Sequence, residues 1–377
     1  MKVLFVGGGT AGHINPALAA AGFLKAKNPD AEILFVGNKG GMEERLVPPA
    51  GYNMKTIHIS GFQRKLSFEN LVKNVKTVAR LLTSSIESKK IIKEFNPDVC
   101  VGTGGYVCGP VLREAAKMGI PCVVHESNAF PGVTVKMLSK NMDTVMLCVE
   151  DAKKYFDESV NIVITGNPVR GEMLTAEKQK SKEKLGLDSR PVVLSFGGSL
   201  GAEKINNAMI EVLKYSAENK EIQHIHGYGQ LEKEYPEKLK AEGFVAEENP
   251  HIRVLDYINN MADCLAAADV VISRAGAITL TEIEALGKAS ILIPSPNVAE
   301  NHQYHNAMAL VNRGAAEIIE EKDLTGEKLL EKVKMMFGEN GKAEKLGIEA
   351  KKMSVPDASD KIYEVIISAA NKGKKKK

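Results

Sequence analysis

Residues 3–13 read VLFVGGGTAGH: a short apolar run ends in three glycines, and a helical pattern follows. Residues 192–202 read VVLSFGGSLGA and repeat that order. A strand that leads through a glycine turn into a helix is the opening unit of a Rossmann-like domain. Along the chain, β-rich runs alternate with helical patterns, which favours parallel sheets with helices on both faces. The sequence therefore predicts an α/β fold with two Rossmann-like domains.

The predicted elements keep this alternation in both halves of the chain. Strands are predicted at 3–6, 33–36, 54–59, 99–101, 122–124, 144–147 and 162–164, and then at 192–195, 222–226, 252–255, 270–272 and 289–293. Helices are predicted at 16–27, within 68–94, and at 204–214, 261–267 and 279–286.

The length of the chain and one short motif predict where the domains divide. At 377 residues the chain exceeds the size at which single hydrophobic cores stop growing. A hinge is predicted at the TGNP motif, 165–168. The predicted domains are 1–164, completed by a C-terminal helix over 356–371, and 165–355, with a disordered basic tail at 372–377. Because ligands bind outside the carboxyl ends of parallel strands, we expect both glycine loops to face a central cleft.

Composition and charge argue against several classes of protein. A net charge of +3 does not by itself indicate nucleic-acid binding, and no apolar run approaches the roughly 20 residues that cross a bilayer. The five cysteines form no CxxC pair, so neither a zinc site nor a disulfide framework is expected, and reduced cytosolic thiols fit best. The final NKGKKKK is either a solvated tail or a segment attracted to an anionic membrane surface.

The first glycine loop lacks the partners of a dinucleotide site. Nicotinamide dinucleotides need an acidic residue at the end of the second strand, where this chain has Asn38 and Lys39. A GxxxxGK[ST] motif is absent as well. What remains is a loop whose amides and helix N-terminus favour an anion or a polar oxygen. His13 follows these glycines, and it is either a structural residue or a neutral imidazole that accepts a proton or contacts a ligand.

Two motifs in the second half predict a site for a diphosphate and a ribose. Ser199 offers a hydroxyl and an amide to a phosphate; the alternative is a tight turn that binds nothing. The amides of Ala277, Ile278 and Thr279, at the start of a predicted helix, would point at a diphosphate. Glu282, one turn further on, either accepts two hydrogen bonds from a ribose diol or caps the helix.

A polar loop near residue 300 and one arginine complete the predicted site. The neutral polar side chains that could bind sugar hydroxyls are Asn301, His302, Gln303 and Asn306. His302 and His305 have no obvious third ligand and so do not predict a metal site. The Asp-x-Asp pair that many metal-dependent sugar-nucleotide transferases use is absent, so Arg170 is predicted to neutralise the diphosphate.

Seven motifs occur in an order that carries a resemblance: GGGTAGHINPALA, GTGGYVCGP, HESNAFPG, TGNPVR, FGGSLGA, SRAGAITLTE and ENHQYHNA. With them the chain resembles, over nearly its whole length, the MurG family of bacterial peptidoglycan enzymes, which are two-domain GT-B glycosyltransferases. The resemblance implies inverting transfer of N-acetylglucosamine from UDP-N-acetylglucosamine to undecaprenyl-pyrophosphoryl-N-acetylmuramyl-pentapeptide (lipid I), giving lipid II. The sugar nucleotide would be a substrate, and no cofactor or metal is implied.

The resemblance also implies roles for individual residues. His13 would be the base that deprotonates the acceptor, in a first domain that binds lipid I. The residues implied at the donor are Thr10, Ala11, Gly12, Asn128, Arg170, Ser199, Ile258, Ala277, Ile278, Thr279, Glu282, His302 and Gln303. Among these, the backbone of Ile258 would hold the uracil and the carboxylate of Glu282 the ribose. The residues implied near the acceptor pyrophosphate are Gly9, Gly104, Gly105 and Tyr106.

Three positions depart from the family pattern. Ala11 stands where the family commonly has glycine, so the first loop is expected to differ slightly if a positive φ is needed there. His302 stands where the family often has glutamine, which weakens the sugar contact assigned to it. Cys108 replaces a common serine and removes a strong hydrogen-bonding hydroxyl.

The implied acceptor is a membrane lipid, so we expect peripheral attachment to the cytoplasmic face of the bacterial plasma membrane. A candidate contact is FQRKLSF, 62–68, with the basic and aliphatic residues up to Arg80; the alternative is a core-facing stripe. The resemblance further implies roles in cell shape and division and contacts with other cell-wall synthesis or division proteins, but no nucleic acid. The alternative functions are another GT-B sugar-nucleotide transferase acting on a membrane lipid, a UDP-N-acetylglucosamine epimerase, or a non-catalytic sugar-nucleotide-binding protein.

Overall fold

The computed structural model describes residues 1–59, 83–338 and 340–374. The chain divides into two compact units. One consists of Met1–Pro168 together with Asp357–Lys377, and the other consists of Val169–Pro356. The boundary predicted from the sequence, between 164 and 165, lies in the same connecting segment.

The first unit is built on a parallel sheet of seven strands in the order β3-β2-β1-β4-β5-β6-β7. These strands are β1 (Lys2–Val6), β2 (Glu32–Asn38), β3 (Asn53–Ile57), β4 (Val99–Gly102), β5 (Cys122–Glu126), β6 (Thr144–Leu147) and β7 (Ile162–Ile164). Its helices along the described part of the chain are α1 (Ala11–Lys27), α2 (Glu43–Leu46), α3 (helical over 83–95), α4 (Cys108–Lys117) and α5 (Val133–Leu138). The strand order reverses at β1 and β4, which is where ligands bind in such sheets.

The second unit is built on a parallel sheet of six strands in the order β10-β9-β8-β11-β12-β13. These strands are β8 (Val192–Phe196), β9 (Gln223–Gly227), β10 (Ile252–Leu255), β11 (Val270–Ser273), β12 (Ala289–Leu292) and β13 (Glu317–Ile318). Its helices are α6 (Gly171–Thr175), α7 (Lys178–Lys184), α8 (Glu203–Asn219), α9 (Tyr235–Ala241), α10 (Met261–Ala267), α11 (Ala277–Leu286), α12 (His302–Val311), α13 (Gly326–Phe337) and α14 (Lys342–Met353).

The last helix, α15 (Ala358–Lys374), packs in the first unit although it follows the second in the chain. Asn28, at the end of α1, donates a hydrogen bond from Nδ2 to the Tyr363 hydroxyl at 2.7 Å. The tail was predicted to be disordered from 372, but residues 372–374 are helical, and 375–377 lie outside the described residues. The reason is close packing: a Cβ on Gly373 would lie only 2.5 Å from the Asp98 carbonyl oxygen.

The first strand shows why both faces of its sheet are covered. Val3 and Phe5 are buried in the core cluster that includes α1 and α15 residues, whereas Leu4 and Val6 are buried in the cluster on the other face. A run that is apolar at every position is typical of a parallel strand between two helical layers. The burial of β1 therefore follows directly from the VLFV run that ends at the first glycine loop.

The predicted strands are confirmed, and two helix starts are corrected. The helix predicted from Pro16 begins at Ala11, because the Thr10 carbonyl already accepts hydrogen bonds from the amides of His13 and Ile14. The helix predicted from Thr279 begins at Ala277. The short strand β13 was not predicted. The proposed membrane-contact stretch at 62–68, with its continuation to residue 80, lies outside the described residues.

Candidate functional site

The first glycine loop holds the imidazole of His13 in one orientation. His13 lies in the first turn of α1 and is partly buried, and its Nδ1 lies 3.0 Å from the Gly8 carbonyl oxygen. A carbonyl oxygen only accepts hydrogen bonds, so this contact places the proton on Nδ1 and leaves the lone pair on Nε2. Thr10 Oγ1, at 3.2 Å from the same Nδ1, adds a second contact. The geometry therefore prepares Nε2 to accept a proton.

The loop after β4 packs against this imidazole. Gly104 adopts φ +104°, and a Cβ on it would lie 2.6 Å from His13 Cδ2, so a side chain there would displace the ring. Gly104 also accepts a hydrogen bond from the Gly8 amide at 3.3 Å. Gly105, at φ +82°, has the Gly8 carbonyl oxygen 2.2 Å from the position of a Cβ. The two glycine loops of the first unit are thus in direct contact, as expected for neighbouring strand ends.

Tyr106 lies over Gly9 at the edge of this group. Gly9 adopts φ +84°, and the nearest atom to a Cβ there would be Tyr106 Cε1, at 3.4 Å. The side chain of Tyr106 is partly exposed, and burial followed by the charge of Glu43 raises the pKa of its hydroxyl. The structure therefore brings together Gly9, Gly104, Gly105, Tyr106 and His13, the residues predicted for the acceptor side.

Glu43 is a residue of this group that the sequence did not single out. This residue is 1% exposed, and its Oε1 accepts hydrogen bonds from the amides of Gly9, at 3.1 Å, and Asn38, at 3.4 Å. In the sequence it stands in GMEERL, which reads as an exposed short helix, and its partners are distant along the chain. The only sequence signal is the nearby pair of glycines, Gly40 and Gly41, which is too common to indicate a buried carboxylate.

The remaining residues predicted in the first loop are placed without strain. Thr10 has an extended backbone, with φ −146° and ψ 155°, and precedes the helix that contains Ala11 and Gly12. Ala11 is the first residue of α1 and does not have a positive φ. Ala11 therefore needs no positive φ, and its helical position accommodates the methyl group.

Asn128 follows β5 in a loop that is held by a second buried carboxylate. Glu126 Oε1 accepts hydrogen bonds from the backbone amide and the side-chain amide of Asn128, at 3.0 and 2.9 Å, and its Oε2 accepts one from the Gly132 amide at 2.8 Å. The HESNAFPG motif thus contains its own loop anchor. The sequence showed the motif, but not that Glu126 organises the backbone of the loop around Asn128.

Cys108, at the start of α4, places its thiol beside two backbone carbonyl oxygens. Its Sγ lies 3.0 Å from the Gly104 carbonyl oxygen and 3.1 Å from that of Val6. Burial raises the pKa of this thiol to about 12, so it stays protonated and donates weakly. The thiol therefore supports the loop that carries Gly104 without adding a charge to it.

In the second unit the first turn of α11 presents the predicted amides. Ala277, Ile278 and Thr279 are its first three residues, and Gly276 before them has an extended backbone. The amides of a first helical turn have no partner within their helix and carry the positive end of the helix dipole. The neighbouring strand β8 ends in the loop with Ser199, where Gly198 adopts φ +105° and has no atom within 4 Å of a Cβ position. This end of the sheet can accept an anion.

Glu282 and Arg170 form an ion pair beside that turn. Arg170 Nη2 and Nε lie 2.8 and 3.1 Å from Glu282 Oε1, and Arg170 Nη1 lies 3.1 Å from a Glu172 oxygen. The Glu282 side chain is 7% exposed and that of Arg170 is 48% exposed. Burial raises the pKa of the Glu282 carboxyl, and the charge of Arg170 opposes that shift. Glu282 is in the second turn of α11, so it does not cap the helix.

Ile258 and α12 lie at the same end of this sheet. Ile258 follows β10 and is buried against Gly227, where a Cβ would lie 2.9 Å from Ile258 Cδ1. Gln303 Oε1 accepts a hydrogen bond from the Ser295 amide at 2.9 Å, and His302 donates from Nδ1 to the Ala299 carbonyl oxygen at 2.8 Å. Because Gln303 accepts through Oε1, its NH2 group is left as a donor for a ligand.

The turn before α12 has two consecutive residues in the left-handed region. Glu300 adopts φ 54° and Asn301 adopts φ 49°. The left-handed conformation costs on the order of 1–2 kcal/mol at Glu300 and less at Asn301, because asparagine tolerates it, and conformations of this kind concentrate at functional sites. The strain therefore coincides with the segment predicted to contact a sugar.

Two further observations bear on metals and membranes. Across residues 1–59, 83–338 and 340–374 no group of three or more His, Cys, Asp or Glu side chains could hold a metal ion. No helix in the same described ranges has the length and apolar character to cross a membrane.

Comparison with known proteins places these features in a family. Residues 3–147 match the glycosyltransferase family 28 N-terminal domain, and residues 192–362 match its C-terminal domain. A protein of Acetivibrio thermocellus is 46% identical over 367 residues, which cover 97% of both chains. One of Thermoanaerobacter sp. strain X514 is 48% identical over 369 residues, which cover 98% of this chain and 100% of that protein. Both are named UDP-N-acetylglucosamine–N-acetylmuramyl-(pentapeptide) pyrophosphoryl-undecaprenol N-acetylglucosamine transferase.

A solved structure agrees with this result. The crystal structure of Acinetobacter baumannii MurG superposes with a TM-score of 0.78 and 28% sequence identity, covering 97% of this chain and 99% of that one. The predicted family resemblance and the predicted GT-B fold are confirmed by these similarities.

Proposed function

Since the chain belongs to glycosyltransferase family 28, we propose that it transfers N-acetylglucosamine from UDP-N-acetylglucosamine to lipid I and so forms lipid II. The observation that carries this proposal is the similarity, over nearly the whole chain, to relatives that are named for that transfer. The first unit would bind the lipid-linked acceptor and the second unit the sugar nucleotide. The residues described above fit the two halves of this reaction.

On the acceptor side, His13 acts as the general base. Its Nδ1–H is bound by the Gly8 carbonyl, so Nε2 takes the proton of the acceptor hydroxyl while the hydroxyl oxygen attacks the anomeric carbon. The new glycosidic bond forms on the face of the anomeric carbon opposite UDP while the bond to UDP breaks, so the configuration inverts. The electrons of the broken bond leave with UDP. A positioned base of this kind accelerates a reaction by roughly 10²–10⁴-fold. Gly9, Gly104, Gly105 and Tyr106 would contact the acceptor pyrophosphate.

On the donor side, the amides of Ala277–Thr279 and the loop with Ser199 bind the diphosphate. Negative charge grows on this group as UDP leaves, and fixed amides at a helix N-terminus stabilise such charge without reorganising. This supports a reaction that relies on backbone dipoles and an arginine for charge neutralisation. Ile258 would hold the uracil, and Asn128, His302 and Gln303 would contact the sugar.

The ion pair of Arg170 and Glu282 suggests how the ribose and the diphosphate are bound together. A ribose diol that donates to Glu282 would compete with the Arg170 guanidinium for Oε1. The released guanidinium would then be available for the diphosphate, where its planar donors suit phosphate oxygens. Donor binding would thus replace one ion pair by another, so the buried carboxylate keeps a hydrogen-bonding partner throughout.

Transfer to a defined acceptor is the test of this function. The purified protein is incubated with UDP-N-acetylglucosamine, with and without a short-chain lipid I analogue, while UDP release and the mass of the lipid product are followed. UDP release and a product heavier by one N-acetylglucosamine, both only with the analogue, support the proposal. Conversion of the sugar nucleotide without an acceptor would indicate an epimerase or hydrolase. Transfer to diacylglycerol but not to the analogue would indicate a different lipid glycosyltransferase.

We also propose peripheral attachment to the cytoplasmic face of the plasma membrane, because the proposed acceptor is a membrane lipid. Flotation with anionic vesicles tests it, with zwitterionic vesicles as the matched control. Co-migration with anionic vesicles that weakens with salt supports the attachment. Absence of co-migration with either kind of vesicle at low salt would contradict it.

A further inference from the structure

One peptide group joins Glu43 to His13. The amide N–H of Gly9 donates to Glu43 Oε1 at 3.1 Å, and the carbonyl oxygen of Gly8 accepts from His13 Nδ1 at 3.0 Å. The Gly8 carbonyl and the Gly9 N–H belong to the same planar peptide unit. A buried carboxylate, a peptide and an imidazole therefore form a continuous line of hydrogen bonds.

The backbone makes room for this carboxylate at three glycines. A Cβ on Gly8 would lie 1.7 Å from Glu43 Oε1, one on Gly41 would lie 2.2 Å from Oε2, and one on Gly37 would lie 2.8 Å from the Glu43 Cβ. Each of these distances is shorter than any contact that a real side chain could keep. The Glu43 side chain thus occupies a space that three separate residues leave open, which argues against a chance orientation.

Stability alone does not explain a carboxylate in this position. The residue is 1% exposed, and its Oε2 has no hydrogen-bond partner among the residues that the structure describes. A buried acceptor without a partner costs about 1–3 kcal/mol, and more when it is charged. A buried acceptor of this kind calls for an explanation, and a role in the chemistry is one that the position of Glu43 beside the His13 loop supports.

We propose that Glu43 is a positioning residue for His13 that acts through the Gly8–Gly9 peptide; this rests on the proposed function of His13 as the base. The carboxylate draws on the Gly9 N–H and thereby makes the Gly8 carbonyl oxygen a stronger acceptor, since linked hydrogen bonds polarise one another. The stronger acceptor fixes Nδ1–H and stabilises the positive charge that the ring gains when Nε2 takes the acceptor proton. No proton moves along the peptide itself.

Two other ionisable groups, Tyr106 and Cys108, lie near this line of hydrogen bonds. Tyr106 and the buried Cys108 thiol both feel the charge of Glu43, and the thiol also feels that of Glu126. Burial raises the pKa of both the Tyr106 hydroxyl and the Cys108 thiol. Neither group therefore ionises near neutral pH, and Glu126 is engaged by its own loop.

Glu43→Gln is the decisive variant, because it keeps the size of the side chain and an oxygen for the Gly9 amide but removes the charge. Its matched control is Glu44→Gln, the same change at the exposed neighbour on the same helix. For Glu43→Gln we expect kcat about tenfold lower with little change in KM, and the acid limb of the pH–rate profile moved to lower pH by roughly half a unit. Glu44→Gln should match the wild type. Equal kcat and pH profiles for all three proteins would overturn the proposal.

A readout that does not need activity separates this proposal from the proposed function. The ¹⁵N resonance of His13 Nδ1 should show the protonated tautomer in the wild type and a weaker hydrogen bond in Glu43→Gln. If the wild-type protein fails to transfer sugar but the resonance shifts as expected, the reaction assignment is wrong and the positioning role of Glu43 stands. If transfer occurs but the resonance and kcat are unaffected by the substitution, the positioning role of Glu43 is wrong and the reaction assignment stands.

A second pair of variants covers the case in which Glu43→Gln does not fold. Glu43→Asp and Glu43→Asn have the same shortened length and differ only in charge. A kcat about tenfold higher for the Asp variant than for the Asn variant, at similar KM, supports the proposal. Equal kcat values for this pair would contradict it, because a purely space-filling role does not depend on charge.

Discussion

The glycine loops that end β1 and β8 arise from similar sequence but have different surroundings. The space beside Gly8 in the first loop is filled by the Glu43 carboxylate, and Gly9 lies under Tyr106. In the second loop no atom lies within 4 Å of a Cβ on Gly198, and Ser199 is exposed. The same strand–glycine–helix unit therefore surrounds a side chain beside Gly8 in one case and leaves the main chain open at Gly198 in the other.

The histidines near the two loops differ in the same way. His13, beside the first loop, is only partly buried, and its Nδ1 is held by a backbone carbonyl. Behind the second loop, His224 Nε2 and His226 Nδ1 lie 3.0 and 2.8 Å from Ser195 Oγ, and all three residues are fully buried. The first arrangement suits proton transfer, whereas the second is sealed inside the core of its unit.

The largest effect is expected from His13→Ala. Removal of the base should lower kcat by about 10³-fold, within the range that general bases supply, while the affinity for UDP-N-acetylglucosamine changes little. Steady-state kinetics with a lipid I analogue and calorimetry with the sugar nucleotide measure the two quantities. His58→Ala, at an exposed histidine paired with Glu87, is the control and should retain activity. A His13→Ala protein with near-normal turnover would remove this residue as the base.

The next effect distinguishes the first glycine loop, where Glu43 fills the space beside Gly8, from the second, where the space beside Gly198 is open. Gly8→Ala forces a methyl group onto the Glu43 carboxylate, so we expect a loss of about 3 kcal/mol in unfolding free energy together with a strong loss of kcat. Gly198→Ala meets no atom but must adopt φ +105°, which costs on the order of 1–2 kcal/mol and should mainly raise KM for the donor. Chemical denaturation and kinetics of both variants test this. Equal losses would show that the loops do not differ as described.

An effect of pH on stability, of intermediate size, is expected from the fully buried His224 and His226. Burial lowers the pKa of His224 to about 3 and that of His226 to about 4, whereas both titrate near 6.5 in the unfolded chain. The unfolded state therefore binds more protons below pH 6.5, and stability falls as the pH decreases towards 4. Each imidazole should cost about 2 kcal/mol between pH 6.5 and 5.

Hydrogen exchange of the β8 and β9 amides measures this local stability as a function of pH. His226→Phe should reduce the pH dependence by about half, since His224 remains as the second buried imidazole, and His58→Gln should leave it unchanged. An equally steep fall in the His226→Phe protein would place the acid sensitivity elsewhere.

The smallest of these effects is expected on donor affinity. Glu282→Gln keeps the shape of the side chain but weakens its hydrogen bonds to a ribose diol, so UDP-N-acetylglucosamine should bind about tenfold more weakly. Glu172→Gln is the matched control, because Glu172 also contacts Arg170 but its side chain is 58% exposed. Calorimetry compares the two. Unchanged affinity in Glu282→Gln would refute the assignment of this carboxylate to the ribose.

Much of the fold was predictable because its signals are local. The VLFV and VVLSF runs, their glycine turns and the helices after them involve neighbours in the chain, and the strand predictions were confirmed. The two-residue strand β13 was missed because its short length leaves no pattern to detect. The start of α1 was placed too late because Pro16 suits a first helical turn, although the hydrogen bonds to the Thr10 carbonyl begin the helix earlier.

The candidate site was predictable only in part. Motif order pointed to His13, Ser199, Ala277–Thr279 and Glu282, and the structure gathers those of each unit at the ends of its strands. The order of the motifs did not indicate that Arg170 would pair with Glu282, 112 positions away in the chain. Nor did it indicate that Glu126 would hold the loop around Asn128.

By itself the sequence determined the alternation of strands and helices, the position of the glycine turns and the family, because these depend on residue order and short-range geometry. Only the tertiary structure decided that Glu43 lies behind the Gly8–Gly9 peptide while the space beside Gly198 stays open. The reason is physical: the burial of a carboxylate, and the room left for it by Gly8, Gly37 and Gly41, depend on segments that meet only when the sheet is assembled.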